Sequence, residues 1–273
     1  MIFDIQIFVL GLVQGICEFL PISSSGHLAL LQHFFGFGDL GENLVAFDLL
    51  LHCATVLVIL IYFRARILRV ICDWLCGWFS QEKRKSWGWA YAWQIIIATF
   101  MTGLIGLPLR KIVDAMSGSP LAVGCGLIFT AIVLSFLPVS SDRPRSKSLF
   151  AVALAVGFAQ GLAVLPGVSR SGMTIAAGIL TGLGLSEAFE FSFLVSVPAI
   201  LGASLLEFLK LVKNPDAIFL PDGYIWACVI AFVSGFAALN IMRRLVLLGK
   251  WAYFGLYCLA IGASAILFSL EIF

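Results

Sequence analysis

Charge is what this chain has least of. Asp, Glu, Lys and Arg make up 12% of its 273 residues, about half the roughly 25% of a soluble domain. Net charge is only +2, too little to suggest a nucleic-acid partner. Histidine is scarcer still, with three copies. The seven cysteines (Cys17, Cys53, Cys72, Cys76, Cys125, Cys228, Cys258) are odd in number and show no zinc-ligand spacing; they read as small hydrophobes in helices. The N-terminus has neither a basic stretch nor a small-residue cleavage site, so no signal peptide is expected. What fills the chain instead is apolar: 61% hydrophobic residues and a mean hydropathy of +1.06. The length would accommodate two soluble domains, but this composition is that of a single polytopic helical bundle in lipid.

Against that background one stretch stands out: Gln14-Gly15-Ile16-Cys17-Glu18-Phe19-Leu20-Pro21-Ile22-Ser23-Ser24-Ser25-Gly26-His27. Polar and ionisable groups at membrane depth are costly and usually face a cavity or a partner. The stretch recurs. A shift of about 146 positions lays Gly11 on Gly157, Gln14 on Gln160, Gly15 on Gly161, Ser23 on Ser169, Ser25 on Ser171 and Gly26 on Gly172, and places Arg170 where the first copy has Ser24.

Short apolar runs, 5–16 and 28–35, flank the first motif, and 149–165 and 175–183 flank the second. Most are well under the roughly 20 residues of a spanning helix, and Gly, Pro and Ser interrupt them, so each pair is expected to be re-entrant. Residues 44–63, 89–109 and 119–139 are expected to span, then 188–209, 223–242 and 251–271, with Pro198 inside one of them. The expected fold is therefore an all-α polytopic membrane protein. It is a single membrane domain with an internal repeat, 1–139 and 149–273, joined by the loop 140–148; each half has one re-entrant helix pair plus three transmembrane helices.

Basic residues cluster in a segment read as a loop (Arg64, Arg66, Arg69, Lys83, Arg84, Lys85), in 140–148 and around Arg243, Arg244 and Lys250. Placing these in the cytoplasm puts twelve basic residues inside against four outside, as the positive-inside rule requires. Three spans per half is an odd number, so the halves should be inverted. Their re-entrant tips should then meet near mid-membrane, bringing Ser23 to His27 toward Ser169 to Thr174.

The residue types at those tips point to phosphate chemistry. The Arg170 guanidinium matches phosphate with parallel hydrogen bonds; Ser169, Ser171 and Thr174 add hydroxyls, and Gly167 and Gly172 allow close backbone approach. Its structural alternative is an ion pair with Glu18 or Glu190. Ser23, Ser24, Ser25 and Gly26 form a second cradle, with a helix cap as the alternative reading. A serine becomes a nucleophile if a base takes its proton; His27 is the candidate proton carrier. His33 and His52 are read as packing or interfacial residues. Glu18 shares a helical face with Gln14 and could orient His27, accept a proton or ligate a divalent cation. Asp48 and Glu190, at similar places in the two halves, are read as supporting acids. Either Ser24 or water attacks.

These two motifs, Gln14-x-x-x-Glu18-Phe-Leu-Pro-Ile-Ser-Ser-Ser-Gly-His27 and Pro166-Gly-Val-Ser-Arg170-Ser-Gly-Met-Thr174, resemble the signatures of the bacterial undecaprenyl-diphosphate phosphatases, the bacitracin-resistance family; Glu190-Phe-Ser-Phe-Leu with Pro198 is similar too. The resemblance covers essentially the whole chain. It implies an enzyme of the bacterial plasma membrane, its site open to the periplasmic side, that removes the terminal phosphate of undecaprenyl diphosphate and recycles the lipid carrier of peptidoglycan synthesis. It also implies a divalent cation (Mg²⁺ or Ca²⁺), and a core set of Glu18, Ser24, His27 and Arg170 supported by Ser23, Ser169 and Thr174. Gln14 stands where many members have Glu, which leaves Glu18 as the one carboxylate of this stretch for a metal. Expected partners are the polyprenyl diphosphate substrate and membrane lipids, with a homodimer as an open alternative. The competing function is a lipid-phosphate transporter or flippase using the same site.

Overall fold

The computed structural model describes residues 2–36, 44–116, 118–138, 148–213 and 220–270. Among these residues the regular structure is entirely helical: α1 (Ile2–Phe19), α2 (Ser24–Phe34), α3 (Val45–Tyr62), α4 (Arg64–Gly77), α5 (Trp87–Met116), α6 (Pro120–Ser135), α7 (Leu149–Leu162), α8 (Arg170–Leu180), α9 (Leu185–Lys213), α10 (Tyr224–Leu247) and α11 (Trp251–Ser269), with a short 3-10 turn at Lys83–Lys85. Five of them (α3, α5, α9, α10 and α11) are long and apolar enough to cross a bilayer. Large apolar side chains such as Phe100, Phe136, Val233 and Leu256 are exposed on the outside of the bundle, as a lipid-facing surface requires. The chain is a multi-pass membrane protein.

Serine starts the short helices. Ser23 caps α2 by accepting from the Gly26 N–H, and Ser169 caps α8 by accepting from the Gly172 N–H. Ser119, with Pro120 behind it, and Ser148 do the same for α6 and α7. Each cap satisfies one of the backbone donors that a helix start leaves open.

Glycine sets how closely the helices pack. The tightest pairings are α1 with α10, α7 with α5 and α6 with α11. A Cβ added at Gly11 would lie 2.8 Å from the Ala227 Cα, and one added at Gly157 would lie 2.8 Å from the Ala98 Cα. No side chain fits at either point, so small residues let the backbones meet. One turn on, Gly15 approaches Ala231 and Gly161 approaches Ile105 in the same way. Helices α3 and α9 pack on each other, and both α2 and α8 lie against α6.

Three expectations need correction. Residues 64–85 are only partly a loop, which is confined to 78–86. Arg64–Gly77 is helical, because its apolar residues recur every three or four positions and give it two faces. Val70 and Asp73 are buried while Leu68 and Leu75 are exposed. The Lys83 ammonium, 3.2 Å from Asp73, holds that carboxyl below the usual carboxylate range. Second, α6 stops at Ser135 rather than running through 119–139; Pro138 disfavours helical backbone at the residue before it. Third, α1 is no half-length piece but an 18-residue helix that runs to the motif's acid. The basic residues of 140–147, and residues 214–219, lie outside the described residues.

Candidate active site

Glu18, near the end of α1, is the hub. Its side chain is 3% exposed, so its charge must be met by protein donors. Gln14, one turn earlier, donates Nε2 to Glu18 Oε2 at 3.1 Å. Past Phe19 the chain turns through Pro21 and Ile22 and reaches Ser23, which has φ 69° and is the one non-glycine residue with positive φ among those described. That strained conformation accompanies a carbonyl that faces the start of α2, where it accepts from the His27 N–H at 3.2 Å and meets His27 Nδ1 at 2.8 Å. Ser24 then lies back over α1 and donates Oγ–H to Glu18 Oε2 at 2.6 Å.

The second motif meets the first here. Arg170, at the start of α8, donates from Nη2 to Glu18 Oε1. Ser171 Oγ donates to the Leu20 carbonyl at 3.1 Å, and a Cβ on Gly26 would stand 3.0 Å from the Gly167 Cα. The two serine-rich bends are therefore in contact. The second bend is fixed from behind: the Ser169 N–H donates to Thr130 Oγ1 at 3.0 Å, and Thr174 donates to the Arg170 carbonyl at 2.8 Å and pairs with Ser192. Within each bend the outer hydroxyls face one another at the same spacing, Ser23 to Ser25 and Ser169 to Ser171, both 3.4 Å.

Some expectations about individual residues change. Glu18 does not orient His27. The His27 ring instead hydrogen-bonds through Nε2 to Tyr257 Oη at 2.9 Å. His52 is not a mere packing residue, since its Nε2 stands 3.8 Å from Glu18 Oε2 and its Nδ1 is held by the Asp48 carbonyl. An ionisable residue inside the apolar run 45–62 was the signal that could have found it. No comparable signal marked Tyr257, because tyrosine is common in membrane helices near the interface. Asp48 accepts from Gln32 and reaches the cluster only through His52. Glu190 is paired with Arg66 at 2.8 Å, whose guanidinium covers the Trp87 ring; it serves packing between α4, α5 and α9. Ser25 is exposed, whereas Ser23, Gly26, Ser169, Ser171 and Thr174 are buried around the junction.

The arrangement brings a hydroxyl and a guanidinium to opposite oxygens of one buried carboxylate, beside the N-termini of two helices. It can bind an anion and take a proton from Ser24. At the same offset of 146 positions, Glu18, Ser24 and His27 correspond to Val164, Arg170 and Met173.

Comparison with known proteins identifies the family. The family profile described as bacitracin resistance protein BacA matches residues 7–264. An undecaprenyl-diphosphatase of Bacteroides thetaiotaomicron is 38% identical over 267 residues, covering 96% of this chain and 98% of that protein. One of Bacteroides fragilis is 39% identical over 269 residues, covering 97% of each. A third, from Carboxydothermus hydrogenoformans, is 38% identical over 263 residues, covering 95% of each. The match runs through both motifs and nearly every helix, and the chain belongs to the BacA family.

Proposed function

We propose that this protein is an undecaprenyl-diphosphate phosphatase of a bacterial plasma membrane, which releases phosphate from undecaprenyl diphosphate and returns undecaprenyl phosphate to peptidoglycan synthesis. The observation that carries the reading is the shared carboxylate: Ser24 Oγ on Glu18 Oε2 and Arg170 on Glu18 Oε1. A guanidinium has five N–H donors, so pairing with Glu18 leaves others for a phosphoryl group. With the N–H groups opening α2 and α8, Arg170 binds the terminal phosphoryl group and stabilises the charge that spreads over it in transfer.

Ser24 is the nucleophile that this geometry favours, because its hydrogen bond runs to Glu18 and not to His27. Its proton passes to Glu18 Oε2 as Oγ bonds to phosphorus. The bond from phosphorus to the bridging oxygen breaks, and undecaprenyl phosphate leaves with that electron pair. Water then attacks phosphorus while His27 Nε2 takes its proton, the bond from phosphorus to Ser24 Oγ breaks, and Glu18 Oε2 returns its proton to Oγ. The surrounding apolar helices suit the prenyl tail.

A hard divalent cation fits beside this set. Gln14 Oε1 is buried with no hydrogen-bond partner, next to the Glu18 carboxylate, and oxygen donors suit Mg²⁺ and Ca²⁺. Gln14 and Glu18 would hold the ion, which when bound neutralises charge on the diphosphate. Among the described residues no group of three or more His, Cys, Asp or Glu side chains is placed to ligate one, so substrate oxygens would complete its shell.

The same reading makes the halves 1–139 and 149–273 inverted repeats, with the site open to the periplasmic side. The matched contacts of Gly11 with Ala227 and Gly157 with Ala98 support it. A lipid-phosphate transporter would use Arg170 and the hydroxyls but has no need of a serine hydrogen-bonded to a base, and the relatives' names give it no support.

The test is phosphate release from undecaprenyl diphosphate by the purified protein in detergent. The wild type should turn over, while Ser24→Ala, His27→Ala and Arg170→Ala should each lose about 100-fold or more. Turnover unchanged in all three would overturn the site.

A further inference from the structure

Two hydrogen bonds define the state of the His27 ring. Nδ1 lies 2.8 Å from the Ser23 carbonyl oxygen, which can only accept, so Nδ1 carries a proton. In the neutral imidazole Nε2 is then the lone-pair nitrogen. Facing it at 2.9 Å is Tyr257 Oη, which must be the donor. Tyr257 comes from α11, 230 residues along the chain, and its ring lies nearly parallel to the imidazole, with 9° between planes and 5.6 Å between centroids. The tyrosine is 41% exposed, so core packing does not explain its hydroxyl. Ser23 completes the clamp from the other edge, in the backbone conformation that the matching Ser169, at φ −75°, does not share. The imidazole is thus held at both nitrogens, by groups from opposite ends of the chain.

We propose that Tyr257 is a positioning residue for His27: its hydroxyl fixes the ring plane and holds the Nε2 lone pair in one direction until the attacking water displaces that hydroxyl and delivers its proton there. The inference rests on the phosphatase reading, in which that nitrogen accepts a proton. Tyr257→Phe keeps the ring and its stacking and removes only the donor. The loss of one neutral hydrogen bond corresponds to a fall in kcat of about three- to tenfold, with KM within about twofold of wild type, because Tyr257 does not hold the phosphate.

A second readout does not depend on turnover. In protein labelled with ¹⁵N-histidine, assigned by the loss of one signal pair in His27→Asn, the His27 Nε2 resonance should be that of a hydrogen-bonded lone-pair nitrogen. In Tyr257→Phe it should move toward the free lone-pair position while Nδ1 stays protonated. A Nε2 resonance unmoved by the substitution, or kcat within twofold of wild type, overturns the proposal. So does a loss seen in Tyr257→Leu but absent in Tyr257→Phe, which would assign the effect to the ring. Failure of the wild type to release phosphate would sink the phosphatase reading, yet the nitrogen shift would still report on the contact.

Discussion

At the scale of the residue, one carboxylate sets the terms. Glu18 is buried and accepts from Gln14, Ser24 and Arg170 while His52 stands nearby. Removing its charge leaves the Arg170 guanidinium without its counter-ion, and breaking a buried pair at one side costs about 3–5 kcal/mol. Glu18→Gln should therefore lower the thermal unfolding midpoint in detergent and cut turnover by about 100-fold or more. An unchanged midpoint would mean that Arg170 has another anchor. Glu18, Ser24 and Arg170 were legible in the sequence because each is a polar intrusion into an apolar run. His52 was visible in the same way but had no motif around it. The Tyr257 contact was not legible, since nothing local to α11 marks which tyrosine reaches a histidine 230 residues earlier.

At the scale of the element, backbone approach governs stability. The matched glycines of α1 and α7 leave no room for a side chain. Gly11→Val and Gly157→Val should each destabilise by about 1–3 kcal/mol through overpacking, and by similar amounts, measured by thermal unfolding in detergent. Tolerance at one position with collapse at the other would contradict the equivalence of the two contacts. Five of the six expected spans and the serine cap of α2 were readable from hydropathy and spacing. Helix α4 was not, because Arg64, Arg66 and Arg69 cancel the hydropathy of a segment whose three-to-four-residue apolar period makes Arg64–Gly77 a helix.

At the scale of the whole molecule, the two halves meet at their bends, and orientation decides which side the substrate reaches. Cys72 and Cys76 are exposed on α4, which the proposed orientation would put on the cytoplasmic side. In a Cys125→Ser background a membrane-impermeant maleimide should label them in inside-out vesicles and not in intact cells. Labelling in intact cells would reverse the orientation. The sequence argument for a contact between the bends counted three spans per half, but α6, at 16 residues, is shorter than that count assumed. The juxtaposition depends instead on Ser171, Gly26 and Arg170 touching the opposite bend.

The most direct measurement of that junction is a double-mutant cycle on kcat/KM for phosphate release with Glu18→Gln, Arg170→Ala and the double variant. If the two residues work as one unit, the double variant should lose little more than the worse of the singles, a coupling well above about 1 kcal/mol. Losses that multiply would mean that the acid of the first bend and the arginine of the second act independently, and would contradict the account.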